Sequence, residues 1–283
     1  MIKLEEKYDL TINHDEIIEK TEKIVARSVQ VKDREIMKHI FSLIDLTTLD
    51  VTDTDEKVMN YVRKVNQLPA KFPELPNVAA ICVYPCFVPL IKSNLDAKNV
   101  KIASVAGSFP SSQTFTDIKL KEVERVLEEG ADEVDIVMPV GKFLEKKFDY
   151  VFEEIQKIKK VTGKSHLKVI LETGSLEDLN MVRHASLLCL EAGADFIKTS
   201  TGKTATGATP EAVYVMCEAI KDFARVTGKT PGIKPAGGIS DASTAISYYL
   251  IVNQILGNDW VKPQRFRIGA SRLANNLLGE KYF

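Results

Sequence analysis

Short apolar runs alternate with longer amphipathic segments along this chain. Each run is rich in aliphatic or β-branched residues and stops at Gly, Pro, Ser, Thr or a charge, as is typical of a strand that is buried on both faces. Eight runs of this kind are predicted strands: Ile40–Asp45, Val78–Tyr84, Lys101–Ala106, Glu133–Met138, Leu167–Glu172, Phe196–Ser200, Gly232–Pro235 and Phe266–Ala270.

Segments with helical periodicity separate these strands. Thr209 and Ser240 are predicted N-caps of two of them. Apolar strands that are each followed by a helix predict a parallel sheet, and eight such units predict an α/β fold with a single closed (β/α)8 TIM barrel. A doubly wound open sheet is the alternative. The clearest helices are Asp117–Gly130, Phe148–Val161, Leu176–Ala192, Pro210–Val226 and Asp241–Leu256.

Residues 1–38 precede the first strand and do not fit the barrel count. We expect them to form an N-terminal helical extension of one or two helices, with residues 39–283 as the catalytic barrel domain. The extension either closes the bottom of the barrel or serves an oligomer contact. Its amphipathic stretch comprises Ile17, Ile18, Thr21, Ile24, Val25 and Ser28.

Three charged residues interrupt the predicted strands. Lys198 and Lys234 each lie in a strand-like run, and Asp135 lies among the apolar residues of Glu-Val-Asp-Ile-Val. A charge buried in a strand is costly unless it is paired or used. These residues therefore predict amine chemistry in a pocket.

A short internal sequence repeat, which we call the echo, relates two of these positions. The nine residues that end at Asp135 align without a gap with the nine that end at Lys198, through a shared Gly-Ala-Asp. Alternate barrel strands contribute to the same layer of side chains, so both residues should point inward at similar height. The alternative is that the echo reports only common loop chemistry and that Asp135 is a satisfied core carboxylate.

Composition narrows the classes of function. The 283 residues include 38 basic and 39 acidic side chains, for a net charge of −1, which gives no electrostatic case for nucleic acid or an anionic membrane. No apolar run is long enough to span a bilayer, and the N-terminus lacks the apolar core of a signal peptide. Four cysteines in a chain of this length fit a reduced, cytoplasmic protein.

A metal site is not expected. Cys82 and Cys86 have a spacing that zinc ligands can adopt, but the four histidines are scattered along the chain. We therefore expect neither a metal nor another cofactor.

A lysine attacks a carbonyl only as the free amine, and in water at neutral pH less than about one in a thousand is free. Burial and a second cation both lower the pKa. Lys198 is the favoured imine-forming residue because small polar residues follow it, with Lys234 as the second cation; Lys203, in a loop, is a third candidate. Asp135 would shuttle protons. Asp45 either hydrogen-bonds a substrate hydroxyl or caps the following loop.

A phosphate site is also predicted. Glycine-containing loops follow the seventh and eighth strands, where barrels of this kind hold phosphate on backbone N–H groups. Lys203 and Arg272 could add positive charge. The substrate-binding candidates are Asp45, Thr201, Gly202, Lys203, Gly237, Gly238, Gly269, Ser271 and Arg272.

Six segments of the chain resemble the deoxyribose-phosphate aldolase family. They are Leu-Thr-Thr-Leu after Asp45, Ala-Ala-Ile-Cys-Val-Tyr-Pro at 79–85, Gly-Ala-Asp-Glu-Val-Asp at 130–135, Lys-Val-Ile-Leu-Glu-Thr-Gly at 168–174, the run at 193–203 that contains Lys198, and Lys-Pro-Ala-Gly-Gly at 234–238. The resemblance extends from about residue 40 to residue 275.

This resemblance implies a metal-independent class I aldolase that reversibly cleaves 2-deoxy-D-ribose 5-phosphate to D-glyceraldehyde 3-phosphate and acetaldehyde. It implies the Schiff base on Lys198, the proton relay on Asp135 and the pKa-lowering partner in Lys234. Two positions depart from the family pattern: Arg272 stands where some members have Ser, and Tyr282 lies on a short tail.

Two other functions stay open at this point. A sugar-phosphate isomerase or epimerase on the same barrel would use Asp135 as its base, but it leaves two inward lysines unexplained. A non-catalytic sugar-phosphate-binding barrel would be expected to lack at least one of the three central charges, and all three are present. The expected partners are a small phosphorylated sugar and acetaldehyde, and the formation of a homodimer is left open.

Overall fold

Eight parallel strands form one sheet in the computed structural model, which describes residues 3–31 and 33–283. The hydrogen-bonded order is β7-β6-β5-β4-β3-β2-β1-β8, and bridges from Ile233 to Phe266 and from Ala236 to Gly269 connect β7 with β8. The sheet therefore closes on itself, and the predicted (β/α)8 barrel is confirmed. Its strands are β1 (Ile44–Thr47), β2 (Ala80–Val83), β3 (Lys101–Val105), β4 (Glu133–Val137), β5 (His166–Ile170), β6 (Phe196–Lys198), β7 (Gly232–Lys234) and β8 (Ile268–Ala270).

Helices surround the barrel. None that lies within the described ranges has both the length and the apolar character that a bilayer crossing needs. The helices are α1 (His14–Ser28), α2 (Arg34–Ser42), α3 (Asp55–Lys71), α4 (Val88–Asn94), α5 (Thr116–Glu128), α6 (Val140–Leu144), α7 (Phe148–Thr162), α8 (Leu179–Glu191), α9 (Pro210–Thr227), α10 (Ala242–Leu256) and α11 (Arg272–Leu278), with 3-10 turns at Leu4–Glu6, Pro85–Phe87 and Thr173–Ser175.

The two predicted N-caps have different outcomes. The side chain of Thr209 accepts a hydrogen bond from the backbone N–H of Ala212, as expected. The cap of α10 is Asp241 rather than Ser240, since the Asp241 carboxylate accepts from the N–H of Thr244. Aspartate and serine are about equally good caps, so the sequence alone could not choose between neighbours.

The predicted first strand was wrong in its first half. Ile40 and Phe41 belong to α2, and the strand begins only at Ile44. Both residues are buried, and together with Met37 they lie on one face of α2. A short apolar run does not distinguish a buried strand from a buried helical face.

Two helices precede the barrel strands. Buried residues of α1, among them Ile17 and Ile24, face α9 and α10 on the outer side of the barrel, whereas Ile18 and Val25 are exposed. Helix α2 runs through the expected domain boundary at residues 38 and 39 and leads into β1. The division into an extension at 1–38 and a barrel at 39–283 stays a prediction, and residues 1, 2 and 32 lie outside the described residues.

Hydrophobic burial divides into two regions. The large one lies between the sheet and the helices and includes Val134, Ile197 and Ile233, whose side chains alternate along their strands with the inward-facing ones. The small one comprises Leu49, Ala80, Cys82, Ala103 and Val105, on the β1, β2 and β3 side of the barrel. The opposite side of the barrel interior holds charged residues.

One buried ion pair lies away from the barrel interior. The Nζ atom of Lys119 on α5 is 2.6 Å from a carboxylate oxygen of Glu154 on α7, and both side chains are 2% exposed. Lys119 also donates to the Ser112 hydroxyl, and Glu154 accepts from Thr116. The pair joins two outer helices through side chains that are almost fully buried.

We expect Glu154→Ala to lower the free energy of unfolding by about 3–5 kcal/mol, because it leaves the Lys119 ammonium buried without its counter-ion. Denaturant unfolding measured by circular dichroism checks this. The matched control is Glu153→Ala, since Glu153 is exposed and its pair with Lys157 spans 3.9 Å. Equal stability of the two variants would contradict the assignment.

Candidate active site

Strand register places the charged side chains in the interior of the barrel. Lys198 on β6 pairs in register with Lys234 on β7, and Asp135 on β4 pairs with Lys168 on β5. Side chains of a strand alternate between the two faces of the sheet, so the apolar neighbours of these residues face the helices. The charged groups therefore converge inside the barrel although they are distant in sequence.

Asp135 is the centre of this convergence. Its Oδ2 lies 2.9 Å from the Nζ atom of Lys198 and 2.8 Å from that of Lys234, and its Oδ1 lies 2.9 Å from the Nζ atom of Lys168. Asp135 and Lys234 are fully buried, and Lys198 is 2% exposed. The structure thus brings together the three residues that the sequence singled out and adds a third lysine.

A second layer of charges lies beneath Asp135, and most of its residues were not predicted from the sequence. Arg267 contacts Glu133 at 2.7 Å and Asp45 at 2.6 Å. Lys168 contacts Glu133 at 2.6 Å. The alternation in Glu-Val-Asp, which places Glu133 two residues before Asp135 on one face of β4, was the available signal. We refer to Lys168, Lys198, Lys234, Arg267, Asp45, Glu133 and Asp135 as the charge cluster.

The carboxylates of the charge cluster stay ionised. Burial by itself would raise the pKa of Asp135, but the ammonium groups of Lys168, Lys198 and Lys234 outweigh it and hold that pKa well below its usual range. The pKa of Glu133 is lowered in the same way: burial opposes the shift, and the charge of Lys168 is the largest favourable cause.

The lysines divide into two kinds. Burial works against the charged form of Lys234, but the charges of Asp135 and Asp45 reverse this and raise its pKa. The pKa of Lys168 is also raised, because Asp135 and Glu133 outweigh its burial. The pKa of Lys198 is lowered, first by burial and then by the charge of Lys234, with Asp135 opposing both.

The number of charges in the cluster explains why the pKa of Lys198 is lowered while those of Lys168 and Lys234 are raised. The charge cluster has four groups that can be cationic and three carboxylates, so it carries one excess positive charge when every lysine is protonated. Loss of one proton from one of the lysines makes the charge cluster neutral. Within the charge cluster Lys198 contacts one carboxylate, that of Asp135, whereas Lys234 contacts both Asp135 and Asp45. Lys198 is therefore the amine that most readily becomes neutral.

A cavity of about 200 Å³ opens above Lys198 at the carboxyl ends of the strands. Lys198 reaches its floor, while Asp135 and Lys234 lie below it. The structure brings eight of the other predicted binding residues to its wall, together with Tyr61 and the loop after β1: Thr201, Gly202, Lys203, Gly237, Gly238, Gly269, Ser271 and Arg272.

Asp45 does not reach this cavity. Its carboxylate is fully buried, 2.5 Å from Lys234 and 2.6 Å from Arg267. In the described residues its side chain meets the charge cluster rather than a loop. The position of Asp45 suits it to hold Lys234 in its charged form.

Two cationic side chains border the cavity on the side of the β6 and β8 loops. The Nζ atom of Lys203 donates to the carbonyl oxygen of Leu49, across the mouth of the barrel. Arg272 follows Ser271 at the start of α11 and is exposed. It forms no ion pair with any residue in the described ranges. Tyr282 lies elsewhere, since its hydroxyl donates to the carbonyl of Lys64 on α3.

Glycines bring the loops after β6 and β7 into backbone contact. A side chain at Gly237, where φ is +86°, would have its Cβ 3.0 Å from the Cα of Gly207. A Cβ at Gly207 would collide with the carbonyl of Gly237. Both positions therefore need glycine, and the two loops form one wall of the cavity.

Comparison with known protein families shows to which family this chain belongs. A family model described as DeoC/LacD family aldolase matches residues 39–248. The chain belongs to this aldolase family. The match covers the seven strands from β1 to β7, so it includes Asp135, Lys198 and Lys234.

Individual relatives agree with this. A Homo sapiens protein named deoxyribose-phosphate aldolase is 36% identical in an alignment that is 291 positions long with its gaps and covers 96% of this chain and 90% of the human protein. A Caenorhabditis elegans relative is 40% identical over 269 residues, which cover 94% of this chain and 88% of its own.

Solved structures give the same result. An aldolase named QR15 is 32% identical and matches with a TM-score of 0.70, covering 85% of this chain and 95% of its own. A deoxyribose phosphate aldolase from Aeropyrum pernix, described as tetrameric, is 27% identical with a TM-score of 0.69 and covers 90% and 96%. The expectation of an enzyme of the aldolase class is confirmed.

We expect Glu133→Gln to reduce the dependence of stability on acidic pH. The folded-state pKa of Glu133 is lowered, so its carboxylate stabilises the fold fully above the ordinary glutamate pKa of about 4.3 and loses this contribution as the pH falls below it. In urea unfolding from pH 7 to pH 3, the variant should start less stable and fall less steeply.

Glu128→Gln is the control, because Glu128 is exposed on α5. It should follow the parent protein at every pH. An unchanged slope in Glu133→Gln would show that the buried contacts of Glu133 with Lys168 and Arg267 do not control its titration.

Proposed function

We propose that this chain reversibly cleaves 2-deoxy-D-ribose 5-phosphate to D-glyceraldehyde 3-phosphate and acetaldehyde through a Schiff base on Lys198. The observation that carries the proposal is the placement of Lys198. It is the amine at the cavity floor, and it is the lysine of the charge cluster whose pKa is lowered, while the pKa values of Lys168 and Lys234 are raised. A neutral amine in reach of a substrate carbonyl is what imine formation needs.

The chemistry follows from that amine. The Lys198 nitrogen attacks C1 of the open-chain sugar, and loss of water gives a protonated imine. The C2–C3 bond then breaks as the C3 hydroxyl gives up its proton, and the electron pair moves into the imine to form an enamine. D-glyceraldehyde 3-phosphate leaves; protonation at C2 and addition of water release acetaldehyde and restore the lysine.

Asp135 and Lys234 suit the proton transfers of this sequence. Asp135 remains ionised and lies within hydrogen-bonding distance of Lys198, so it can take up a proton during loss of water from the carbinolamine. Lys234 stays protonated and donates to the same oxygen of Asp135 that Lys198 contacts. It can therefore return a proton to Asp135. Its charge also favours the neutral form of Lys198.

An isomerase or epimerase that uses Asp135 as its base is less well supported. Such a base must reach a C–H bond of the substrate, whereas Asp135 is fully buried below the cavity floor and does not line the cavity. Both of its oxygens are also occupied by lysine ammonium groups. A barrel that only binds sugar phosphates gives no reason for a lysine with a lowered pKa at the cavity floor.

The phosphate end of the substrate has a matching wall. We place it against the backbone N–H groups of Gly202, Gly237 and Gly238, near Ser271, with Lys203 and Arg272 as cationic partners. The aldehyde end then points down towards Lys198. We also propose that the reaction needs no metal ion, because the protonated imine is itself the electron sink, and that it takes place in the cytoplasm, since the four cysteines are unbridged.

We expect acetaldehyde followed by borohydride to leave a two-carbon adduct on Lys198, which peptide mass spectrometry would locate. Lys198→Arg should abolish both the adduct and turnover, because an arginine cannot become neutral. Lys229→Arg, on an exposed position, is the control and should be modified and active like the parent. An adduct on another lysine, or none, would refute the proposal.

Lys234→Met should move the pH profile of this trapping reaction to higher pH by about one unit, since removal of the nearby cation raises the pKa of Lys198. The direction of the shift follows because only the free amine reacts. The lowered pKa of Lys198 lets the parent protein reach its plateau rate at a lower pH than a lysine of ordinary pKa would. The rate of adduct formation against pH is the measurement. A profile that stays in place or moves to lower pH would remove Lys234 from this role.

Arg272→Ser should raise KM for the phosphorylated sugar about three- to tenfold with kcat little changed, because one charged partner of the phosphate is lost. Inhibition by inorganic phosphate should weaken by a similar factor. Arg225→Ser changes an exposed arginine on α9 in the same way and should alter neither value. Unchanged phosphate inhibition in Arg272→Ser would exclude contact between Arg272 and the phosphate.

A further inference from the structure

Glu172 is a buried carboxylate that the proposed reaction does not use. It follows β5, is 5% exposed, and forms no ion pair with any residue of the described part of the chain. Its backbone has φ 52° and ψ 56°, the left-handed region that residues other than glycine and asparagine rarely adopt. Burial of a carboxyl group without an ion pair and a left-handed backbone at a residue other than glycine are both costly, which points to a role in the protein.

The carboxylate of Glu172 holds the loop after β6. One oxygen accepts from the backbone N–H of Thr201 at 3.2 Å and from the Thr204 hydroxyl at 3.3 Å. The other accepts from the Thr201 hydroxyl at 2.6 Å. The Thr201 hydroxyl oxygen in turn accepts from the N–H of Lys203 at 3.0 Å. This chain of hydrogen bonds sets the conformation of residues 201–204.

The same loop forms the phosphate side of the cavity. Gly202, with φ +75°, and Lys203 both line the wall, and the Gly207 end of the loop is in backbone contact with Gly237. The backbone next to Glu172 is anchored independently, because the N–H of Thr173 donates to the carbonyl of Thr199. Glu172 therefore couples the β5 loop to the part of the β6 loop that faces the anion.

We propose that Glu172 is a positioning residue that orders the Thr201–Thr204 loop so that Gly202 and Lys203 can bind the phosphate of the substrate. Glu172 does not line the cavity, so it acts through Thr201 and not on the substrate. The inference rests on the proposed function, since it assigns the phosphate to this wall. Glu172 would then affect binding of the phosphate but not the reaction at Lys198.

The test compares Glu172→Ala and Glu172→Gln on 2-deoxyribose 5-phosphate and on 2-deoxyribose, which lacks the phosphate. Glu172→Ala should raise KM for the phosphorylated sugar by about tenfold or more, the loss expected when one charge-assisted hydrogen-bond network is removed. It should leave kcat/KM for 2-deoxyribose within about twofold, because that substrate makes no phosphate contact. Inhibition by inorganic phosphate should weaken in parallel with KM.

Glu172→Gln should restore most of the phosphate affinity. Its amide oxygen can accept from the N–H of Thr201, and its NH2 group can donate to the Thr201 hydroxyl oxygen. Glu177→Ala, at an exposed position five residues on, is the control and should match the parent on both substrates and with phosphate. Circular dichroism and trapping of acetaldehyde on Lys198 show whether each variant is folded and competent.

The outcomes are distinguishable. Equal losses on both substrates in Glu172→Ala, or unchanged phosphate inhibition, would overturn the positioning role while leaving the aldolase proposal intact. If Glu172→Ala does not fold, the comparison rests on Glu172→Asp, whose carboxylate is one methylene group too short to keep the contacts with Thr201. Weaker phosphate inhibition with 2-deoxyribose unaffected supports the role, and unchanged inhibition or an equal loss on both substrates overturns it. A parent protein that cleaves neither sugar overturns the proposed function itself.

Discussion

One carboxylate shared among three buried amines is the constraint on which the interior of this barrel depends. The carboxylate oxygens of Asp135 lie within 2.9 Å of the Nζ atoms of Lys168, Lys198 and Lys234, and Asp135 is fully buried. Four potential cations among three carboxylates cannot all stay charged without an excess positive charge in a low-dielectric interior. The amine with the fewest carboxylate contacts gives up its proton, and that amine is at the floor of the cavity.

The rest of the charge cluster determines which amine this is. Asp45 and Glu133 hold Lys234 and Lys168 in their charged forms, and Arg267 ties those two carboxylates together from below. A lysine alone in an apolar barrel would be neutral, but it would have neither a neighbour to carry protons nor a charge to keep its pKa low once substrate enters. The second layer therefore gives the reactive amine its chemical character.

The barrel interior is divided between two kinds of side chain. Small apolar residues from β2 and β3, such as Ala80 and Ala103, occupy one side, and the charge cluster occupies the other. Above both, the loops after β6 and β7 meet through Gly207 and Gly237 to form a wall suited to an anion. The reactive amine thus lies at the end of a strand, and the proposed anion site lies in the loops that follow the strands.

The sequence by itself determined the number of strands, the barrel and three of the charged residues at its centre. The reason is that a charge within an apolar run, as at Lys198, is a local signal that needs no knowledge of neighbours. The same reasoning did not select Lys168, although it also lies in an apolar run, because nothing in one strand says which charges face inward together. Nor could it place Ile40 and Phe41 in a helix, since a short apolar run fits either structure.

Only the tertiary structure decided the pairing of charges. Arg267 is far from Asp45 and Glu133 along the chain, and closure of the barrel brings them within 2.7 Å. The sequence suggested Asp45 as a substrate contact, and the structure places it among the buried ion pairs. Glu172 likewise gave no signal of its own, because its partners lie in the next loop. Contacts between strands depend on register and closure, which are properties of the whole sheet.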